Sequence, residues 1–380
     1  MSFDTVRMAS KLLRCRSNLE MDIKEVSGLT GISEERLRLI ESGQIEPYGD
    51  EILILADIYQ EDFKYFISNE RLSASEKVEE LYRSNGQNFT KEDKRSIQTF
   101  INLCCNEQFI WENLQVETKP FKVPPINQDF INKRDGEIVA ESLRVHLGYK
   151  GLESYQNLYN EFRKLGIHIF RRKLINSGFS GLFIRHPEAG LCVLINYVDN
   201  VYRQNYTLAH EVGHALMDGT DYNISLENDD RTVFREIRAN NFASNFLLPQ
   251  DIVKRIPMKV LTPEFILKQA HKFRVNVLPF LIALKNAEVI GYSDFERLKQ
   301  LSIKIPKSEQ KDYELENLTD RLAQSYIFTI ERGLTPSYIK ICHEAYCKKI
   351  ISRERLADML LTDIYDLPQL LELFKLKVEL

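Results

Sequence analysis

Short amphipathic segments fill residues 1–70 of the chain. The stretches "SKLLRCRSNL", "SEERLRLIESG" and "DEILILADIYQ" each repeat apolar residues at the spacing of a helix. A break at Gly31 precedes the second stretch, which Ser33 is placed to cap and Gly43 to end. The pattern therefore predicts an all-helical N-terminal domain in which two helices flank a short turn. The apolar positions include Leu37, Ile40, Leu53, Ala56 and Ile58.

The pattern changes after residue 70. Residues 71–125 predict a helical connector that leads into "KPFKVPPIN", where closely spaced prolines exclude both helix and central strand. The stretches "GIHIFRR" and "FSGLFIRHPEAGLCVLIN" are rich in β-branched and aromatic residues, and they predict a small antiparallel sheet within a domain over 126–300. Residues 301–380 predict a C-terminal helical region. The expected fold class is α+β and mostly helical.

Composition narrows the class of protein. The chain has 380 residues, of which 43% are hydrophobic and 28% charged, so it can bury more than one core. It shows no basic and apolar leader and no apolar run near eighteen residues, so we expect a cytoplasmic protein without a membrane segment. The six cysteines lack C-x-x-C spacing, which argues against a disulfide scaffold or a cysteine zinc ribbon. The net charge of −4 excludes no class of partner.

The stretch "TLAHEVGHALMDG" carries the clearest chemistry. His210 and His214 lie one helical turn apart, so both imidazoles can point at one ion, and Glu211 can act as a general base beside them. Asn205 or Thr207 is expected to cap this helix, and Asp218 with Gly219 to end it. The alternative is a structural histidine pair or a structural metal, which would leave Glu211 without a role.

A third ligand is needed, because catalytic zinc normally takes three protein ligands and keeps a fourth position for water. The stretch "RTVFREIRANNFASNFLLP" predicts a helix in which Glu236 can complete a His-His-Glu set. Asn240, one turn later, can hold a ligand histidine by its other ring nitrogen. The residues expected to face the core are Ile237, Phe242, Phe246 and Leu247. The rival third ligands are Glu227, Asp229 and Asp230.

The two stretches together resemble the ImmA/IrrE family of metallopeptidases, over roughly residues 130–300. An H-E-x-G-H helix, an E-x-x-A-N-x-F-A helix and L-L-x-P carry the likeness. The resemblance implies a zincin-like metallopeptidase domain with Zn²⁺ held by His210, His214 and Glu236, and Glu211 as general base. Many members have a second acid where this chain has Arg238. Family members are known or suspected to cleave repressors or antitoxins, which releases stress-response, mobile-element or defence genes.

Two further parts of the reaction stay open in the sequence. The donor that stabilises the oxyanion is expected among Tyr206, Tyr222 and His271. An exposed edge of the "GLCVLIN" strand can hold substrate as an added strand, or it can be an ordinary edge strand.

The N-terminal segment resembles the XRE family of repressor-type DNA-binding domains. The expected recognition helix begins with Glu34 and Glu35, where residues that face base edges would normally lie, and Arg36 and Arg38 are the residues still placed to contact DNA. However, residues 1–70 carry 8 Lys or Arg against 14 Asp or Glu, and DNA affinity depends largely on phosphate contacts. A protein-docking or dimerising role for the same fold therefore stays open. The matching positions are Val26, Gly31, Ile32, Leu37, Ile40, Glu41, Gly43, Pro47, Leu55 and Ala56.

Together these features predict a zinc endopeptidase of narrow specificity that acts on a repressor or antitoxin. Its N-terminal module would recruit it to DNA or to that partner, and a homodimer is compatible with the apolar C-terminal helices. The alternative is a non-enzymatic DNA-binding regulator that uses the zinc domain as a sensor or dimerisation platform.

Overall fold

The computed structural model describes residues 4–61, 63–68, 90–126, 132–149, 157–174, 180–218, 230–256, 261–306, 310, 312–315 and 318–377. Helices predominate in these residues beside one small three-stranded sheet, which confirms a mostly helical α+β fold. The chain divides into two compact units, Met1–Leu103 with Leu174–Asn176, and Cys104–Lys173 with Ser177–Leu380. The division into four parts at residues 70, 125 and 300 stays a prediction.

The first unit consists of short helices whose N-termini are capped by side chains. Asp4, Asp22 and Ser33 each accept a hydrogen bond from the backbone of the following turn, as predicted for Ser33. Gly31 ends one helix with a φ of 74°, a conformation that glycine adopts without strain. The helices are α1 (Thr5–Asn18), α2 (Ile23–Thr30), α3 (Glu34–Glu41), α4 (Gly49–Tyr59), α5 (Phe63–Ile67) and α6 (Lys91–Leu114), the last of which continues into the second unit.

The second unit holds the sheet and the remaining described helices. Its strands are β1 (Ile167–Arg172), β2 (Gly181–His186) and β3 (Gly190–Asn196). The helices before and after the sheet are α7 (Lys133–His146), α8 (Leu158–Arg163), α9 (Val201–Met217), α10 (Asp230–Leu247), α11 (Gln250–Lys254), α12 (Pro263–Lys272), α13 (Val277–Asn286) and α14 (Tyr292–Gln300). The C-terminal helices are α15 (Asp320–Glu331), α16 (Pro336–Cys347), α17 (Arg353–Met359) and α18 (Leu367–Leu373).

The sheet is mixed rather than antiparallel, so the predicted antiparallel sheet is only half right. Its strand order is β1-β3-β2: β2 pairs antiparallel with β3, whereas β1 pairs parallel with it. The tight turn between β2 and β3 makes a hairpin, which is antiparallel by necessity. The strand β1 pairs with the far side of the hairpin instead of with its neighbour in sequence. This order places β3 in the centre of the sheet.

One apolar core joins the sheet to the helices that carry the candidate site. The helix α9 packs on β2 and β3, and α10 packs between α9 and α7. Phe242, Ala243, Phe246 and Leu247 of α10 belong to this core, and Ala239 is buried on the same helix. Ile237 was expected on that side too, but it is exposed, because it lies nearly opposite Ala239 around the helix axis.

Two glycines let these helices approach closely. A Cβ built on Gly136 of α7 would lie 2.7 Å from the backbone nitrogen of Phe242. A Cβ on Gly213 of α9 would lie 2.9 Å from the ring of the same phenylalanine. Real Cβ atoms are not found so close to other atoms, so both contacts depend on glycine. The helix α10 is therefore held against both neighbours at backbone distance.

The segment around Asp312 is tied to the sheet by a buried ion group. Arg171 of β1 is fully buried and donates to both carboxylate oxygens of Asp312, at 2.7 and 3.1 Å, and to Glu314. A buried guanidinium needs such partners, since an unpaired charge in the interior is costly. This group fixes the chain after α14 against β1.

Candidate metal centre

The helix α9 begins one to two turns earlier than the sequence indicates. Asn200 is its N-cap, and the side chain of Asn200 accepts a hydrogen bond of 3.0 Å from the backbone of Arg203. The predicted caps Asn205 and Thr207 are wrong, since both lie buried inside the helix. Asn205 instead donates to the backbone oxygen of Arg274. Asp218 ends the helix, as predicted.

Three ligand-type side chains meet between α9 and α10. The Nε2 atoms of His210 and His214 lie 3.1 Å apart. The carboxylate of Glu236 faces both rings, with 3.3 Å from His210 Nε2 to one oxygen and 3.3 Å from His214 Nε2 to the other. Within the described residues, His210, His214 and Glu236 form the one cluster of three or more His, Cys, Asp or Glu side chains whose ligand atoms lie close enough to hold a metal ion.

The spacing of these atoms fits zinc. Zinc bonds of about 2.0–2.1 Å in tetrahedral geometry place neighbouring ligand atoms about 3.3–3.4 Å apart. The two Nε2 atoms are 3.1 Å apart, and each lies 3.3 Å from a different carboxylate oxygen of Glu236, so each of these three separations is close to the spacing of neighbouring zinc ligands. The donor set, two imidazoles and one carboxylate, is also one that zinc takes in hydrolytic sites. The side chains present therefore fit a zinc ion with one position left over.

A buried acid and a buried base orient one of the histidines. Nδ1 of His214 lies 2.6 Å from a carboxylate oxygen of Asp218, and the other oxygen accepts a 2.6 Å hydrogen bond from Arg238. A carboxylate only accepts, so Nδ1 carries a proton toward Asp218, and Nε2 is the nitrogen that a metal would take by displacing its proton. The sequence did not point to this role for Asp218 or Arg238, although Asp218 lies one turn after His214, a spacing that puts both on one helix face.

The charges around His214 favour a cation at the site. Burial lowers the pKa of His214, but hydrogen bonds to Asp218 and Glu236 outweigh it and raise the pKa to about 10. Burial raises the pKa of Glu236, and its hydrogen bonds with His210 and His214 outweigh that effect and lower the pKa below its usual range. Both shifts have the same cause: negative carboxylates face the imidazoles, and the contacts favour the charged forms of both partners.

Asn240 does not hold a histidine, so the predicted role is wrong. Its side-chain nitrogen donates to the backbone oxygen of Glu236, at 2.9 Å, in its own helix. The hydroxyl of Tyr206 donates toward the backbone and side-chain oxygens of Asn240, at 3.3 and 3.4 Å. Asp218, and not Asn240, holds a ligand histidine, His214, by its other ring nitrogen.

Glu211 is part of α9, between the ligand histidines, and its side chain approaches the start of β2 at Gly181. A Cβ built on Gly181 would lie 3.3 Å from Cγ of Glu211 and 2.5 Å from Thr207. The absence of a side chain at Gly181 thus leaves room for the glutamate between strand and helix. Burial raises the pKa of Glu211, with His210 and His214 acting in the opposite direction.

The other residues predicted for the reaction are placed as follows. Nδ1 of His271 lies 2.9 Å from the hydroxyl of Tyr202. Tyr222, Glu227 and Asp229 lie outside the described residues, as does the side chain of Asp230. The predicted docking edge on β3 is wrong, because β3 is the central strand and both of its edges are paired.

In the first unit, the two arginines predicted to contact DNA are engaged within the protein. Arg36 donates through Nε and Nη2 to the two carboxylate oxygens of Glu51, the second at 2.8 Å, and stacks on Tyr48 with 4.4 Å between guanidinium carbon and ring centre. Arg38 donates to Glu34, one turn earlier, at 2.8 Å. The contacts of Arg36 join α3 to α4, so its guanidinium stabilises the packing of these two helices.

No helix within the described part of the chain is long and apolar enough to cross a membrane. A search of the curated proteins found no match. Residues 162–278 match the family model described as the IrrE N-terminal-like domain, Peptidase_M78. The matched segment contains the sheet, α9 and α10, and so all three residues of the candidate metal centre. The match supports placing this part of the chain in the ImmA/IrrE family, which implies a zincin-like metallopeptidase fold.

Proposed function

We propose that the protein is a zinc-dependent endopeptidase of narrow specificity. The observation that carries the proposal is the convergence of His210, His214 and Glu236 at ligand distances, with Glu211 beside them. A purely structural zinc would need a fourth protein ligand. The described residues offer three, which leaves a position for the reaction.

The chemistry divides between the ion and the protein. When bound, zinc supplies Lewis acidity to a peptide carbonyl and to an attacking water. Glu211 takes the proton from that water and passes it to the leaving amine, which requires a carboxylate with a pKa raised toward neutral. Burial raises the pKa of Glu211 in that direction. Asp218 holds the ring of His214 in place throughout.

Of the donors expected from the sequence, we favour Tyr206 for the oxyanion. It precedes His210 by one turn of α9, and its hydroxyl reaches Asn240, one turn after Glu236. Burial raises the pKa of Tyr206, which keeps its hydroxyl protonated and able to donate. His271 faces Tyr202 instead, and that contact occupies one of its two ring nitrogens.

The substrate that we propose is a DNA-binding repressor or an antitoxin, whose cleavage would release the genes it holds silent. The first unit would recruit the enzyme to that partner. We favour a protein over DNA as its target, because residues 1–70 are acidic and Arg36 is tied to Glu51. No observation favours the regulator without enzymatic activity over the endopeptidase.

Co-expression with the repressor encoded next to the gene tests the proposal. The wild type should cleave this repressor, and Glu211→Gln should leave it intact while binding the same amount of zinc, since Glu211 is not a ligand. Glu264→Gln, an exposed change at the start of α12, is the matched control and should cleave as the wild type does. If the repressor is cleaved to the same extent, or left intact, by both the zinc-loaded wild type and zinc-loaded Glu211→Gln, the proposed activity is contradicted.

A further inference from the structure

Two arginines lie side by side where the sheet meets the C-terminal helices. Arg172 is the last residue of β1, and Arg332 directly follows α15. The two residues form an isolated antiparallel β-bridge, and Nη1 of Arg172 donates to the backbone oxygen of Arg332. Nη2 of Arg332 donates to the backbone oxygen of Leu361, just beyond the end of α17. Both arginines are half-buried.

The pair has more positive charge than its surroundings balance. Within the described residues, no carboxylate lies within ion-pair distance of either arginine, and the neighbouring acid Glu331 lies 3.9 Å from Nζ of Lys173 instead. The carbonyl groups that accept from the arginines follow the ends of α15 and α17. A helix end supplies about half a negative charge, so two guanidinium groups keep an excess of about one positive charge.

This excess charge is unfavourable for the protein alone. Burial and the neighbouring Arg332 both lower the pKa of Arg172, to about 10. Nε of Arg172 is buried and has no hydrogen-bond partner among the described residues. A guanidinium has five N–H groups in a planar fork that matches a phosphate group, and each arginine of the pair uses one nitrogen on a carbonyl oxygen. An anionic group bound to the remaining N–H groups would supply both the hydrogen bonds and the counter-charge.

An exposed aromatic ring borders the pair. Phe328 lies one turn before Arg332 and is 62% exposed. Its ring centre is 5.8 Å from the guanidinium carbon of Arg332. An aromatic side chain next to phosphate-binding donors offers a stacking face for a nucleobase, and this contact tolerates any base because every base has a π-face.

We infer that Arg172, Arg332 and Phe328 bind a free nucleotide, with its phosphate group on the two guanidinium groups and its base on the ring of Phe328. One arginine pair and one ring match one nucleotide, whereas a groove for single-stranded DNA or RNA needs a row of such groups. The site shares no residue with the candidate metal centre, and the inference does not depend on the proposed endopeptidase activity. The nucleotide would join β1 to the ends of α15 and α17.

Isothermal titration calorimetry of the zinc-loaded protein with adenosine 5′-monophosphate, inorganic phosphate and adenosine tests the site. The wild type should bind the monophosphate more tightly than either of its two parts. Arg172→Gln should bind it about 10-fold more weakly or worse, because a hydrogen bond between charged groups is lost. Phe328→Leu should weaken binding of the monophosphate and leave binding of phosphate unchanged. Lys348→Gln, which removes a positive charge from an exposed pair on α16, is the control and should bind as the wild type does.

Thermal unfolding followed by circular dichroism shows which variants are folded. The monophosphate should raise the Tm of the wild type and of Lys348→Gln, but not that of Arg172→Gln, because a ligand stabilises the state that binds it. If Arg172→Gln does not fold, Phe328→Leu decides, since its exposed position does not affect the core. Three results overturn the inference: a wild type that does not bind the monophosphate, equal affinities for the monophosphate and phosphate, and binding that folded Arg172→Gln or Phe328→Leu leaves unchanged. The last result would place the ligand elsewhere, for example at the zinc ion.

Discussion

His214 and Asp218 form a hydrogen bond of 2.6 Å one turn apart on the same helix, and the second oxygen of Asp218 binds the buried Arg238 of the neighbouring helix. The contact with Asp218 determines that Nδ1 of His214 is engaged and Nε2 faces the site, and Arg238 holds the carboxylate of Asp218 in place. A metal ligand is thereby tied to both helices of the candidate centre. Partners of this kind are known to strengthen metal binding through the ligands that they orient.

Asp218→Asn should weaken zinc binding by about 10- to 100-fold, because the amide keeps the shape but removes the charge that orients His214 and pairs with Arg238. Competition with a chromophoric chelator measures the affinity. Asp294→Asn, which alters an exposed ion pair with Arg297, is the matched control and should bind zinc as the wild type does. An unchanged affinity in Asp218→Asn would show that the contact has no part in holding the metal.

Glu236→Ala should lower zinc affinity by more than either Glu227→Ala or Asp229→Ala. Glu236 is the acid that meets both rings, whereas the other two were the rival third ligands in the sequence. The same chelator competition ranks the three variants. Wild-type affinity in Glu236→Ala together with a loss in one of the others would reassign the third ligand.

The part of the site that lies in one short segment could be predicted from the sequence, since the helix repeat alone places His210 beside His214. Glu236 was found from its spacing to Asn240 and from the family pattern. The role of Asn240 could not be predicted in the same way. Its side chain bonds to the backbone of its own helix, and the sequence does not distinguish this contact from one with the neighbouring helix. The bond between Asp218 and Arg238 joins two helices, and no spacing along the chain reveals it.

Gly136→Ala and Gly213→Ala should both destabilise the protein, by about 1–3 kcal/mol or more, because the new methyl group would push α10 from its neighbours. Gly136→Ala should lower the free energy of unfolding more than Gly213→Ala. The methyl group at residue 136 would meet backbone atoms, whereas the one at residue 213 would meet the ring of Phe242, which can rotate away. Urea denaturation followed by circular dichroism gives the free energies of unfolding.

Gly28→Ala is the matched control for these two variants. It also replaces a glycine inside a helix, but open space surrounds it, so it should raise stability by up to about 1 kcal/mol. Equal effects of all three substitutions would mean that close helix packing does not depend on Gly136 and Gly213.

The elements of the fold were easier to predict than their arrangement. The strands β1, β2 and β3 followed from their β-branched and aromatic residues, and the short turn made the hairpin certain. The pairing of β1 with β3 was missed because contacts between strands distant in sequence leave no local pattern. Ile237 was assigned to the core although the helix repeat itself turns it about 140° away from Phe242, and it is exposed.

The contribution of Glu51 to stability should depend on pH. The hydrogen bond from Arg36 lowers the pKa of Glu51 below its unfolded value, so the pair stabilises the folded state above the unfolded pKa of about 4.3. Glu51→Gln should therefore be less stable than the wild type at pH 7, and the difference should shrink as the pH falls below about 4.

Urea denaturation at pH 7, 5, 4 and 3 measures that difference. Glu34→Gln removes the partner of Arg38 in an exposed pair, which contributes little, and should follow the wild type at every pH. A difference between Glu51→Gln and wild type that stays constant from pH 7 to pH 3 would show that the charge of Glu51 does not stabilise the fold.

The central claim is that His210, His214 and Glu236 hold one zinc ion and leave one position for the reaction. Anomalous diffraction at the zinc edge from crystals of the zinc-loaded protein tests it most directly. We predict a single peak within about 2.0–2.2 Å of Nε2 of both histidines and of a carboxylate oxygen of Glu236, with no fourth protein ligand. A zinc peak at another place in the protein, or a fourth side chain bound to the zinc ion, would contradict the account.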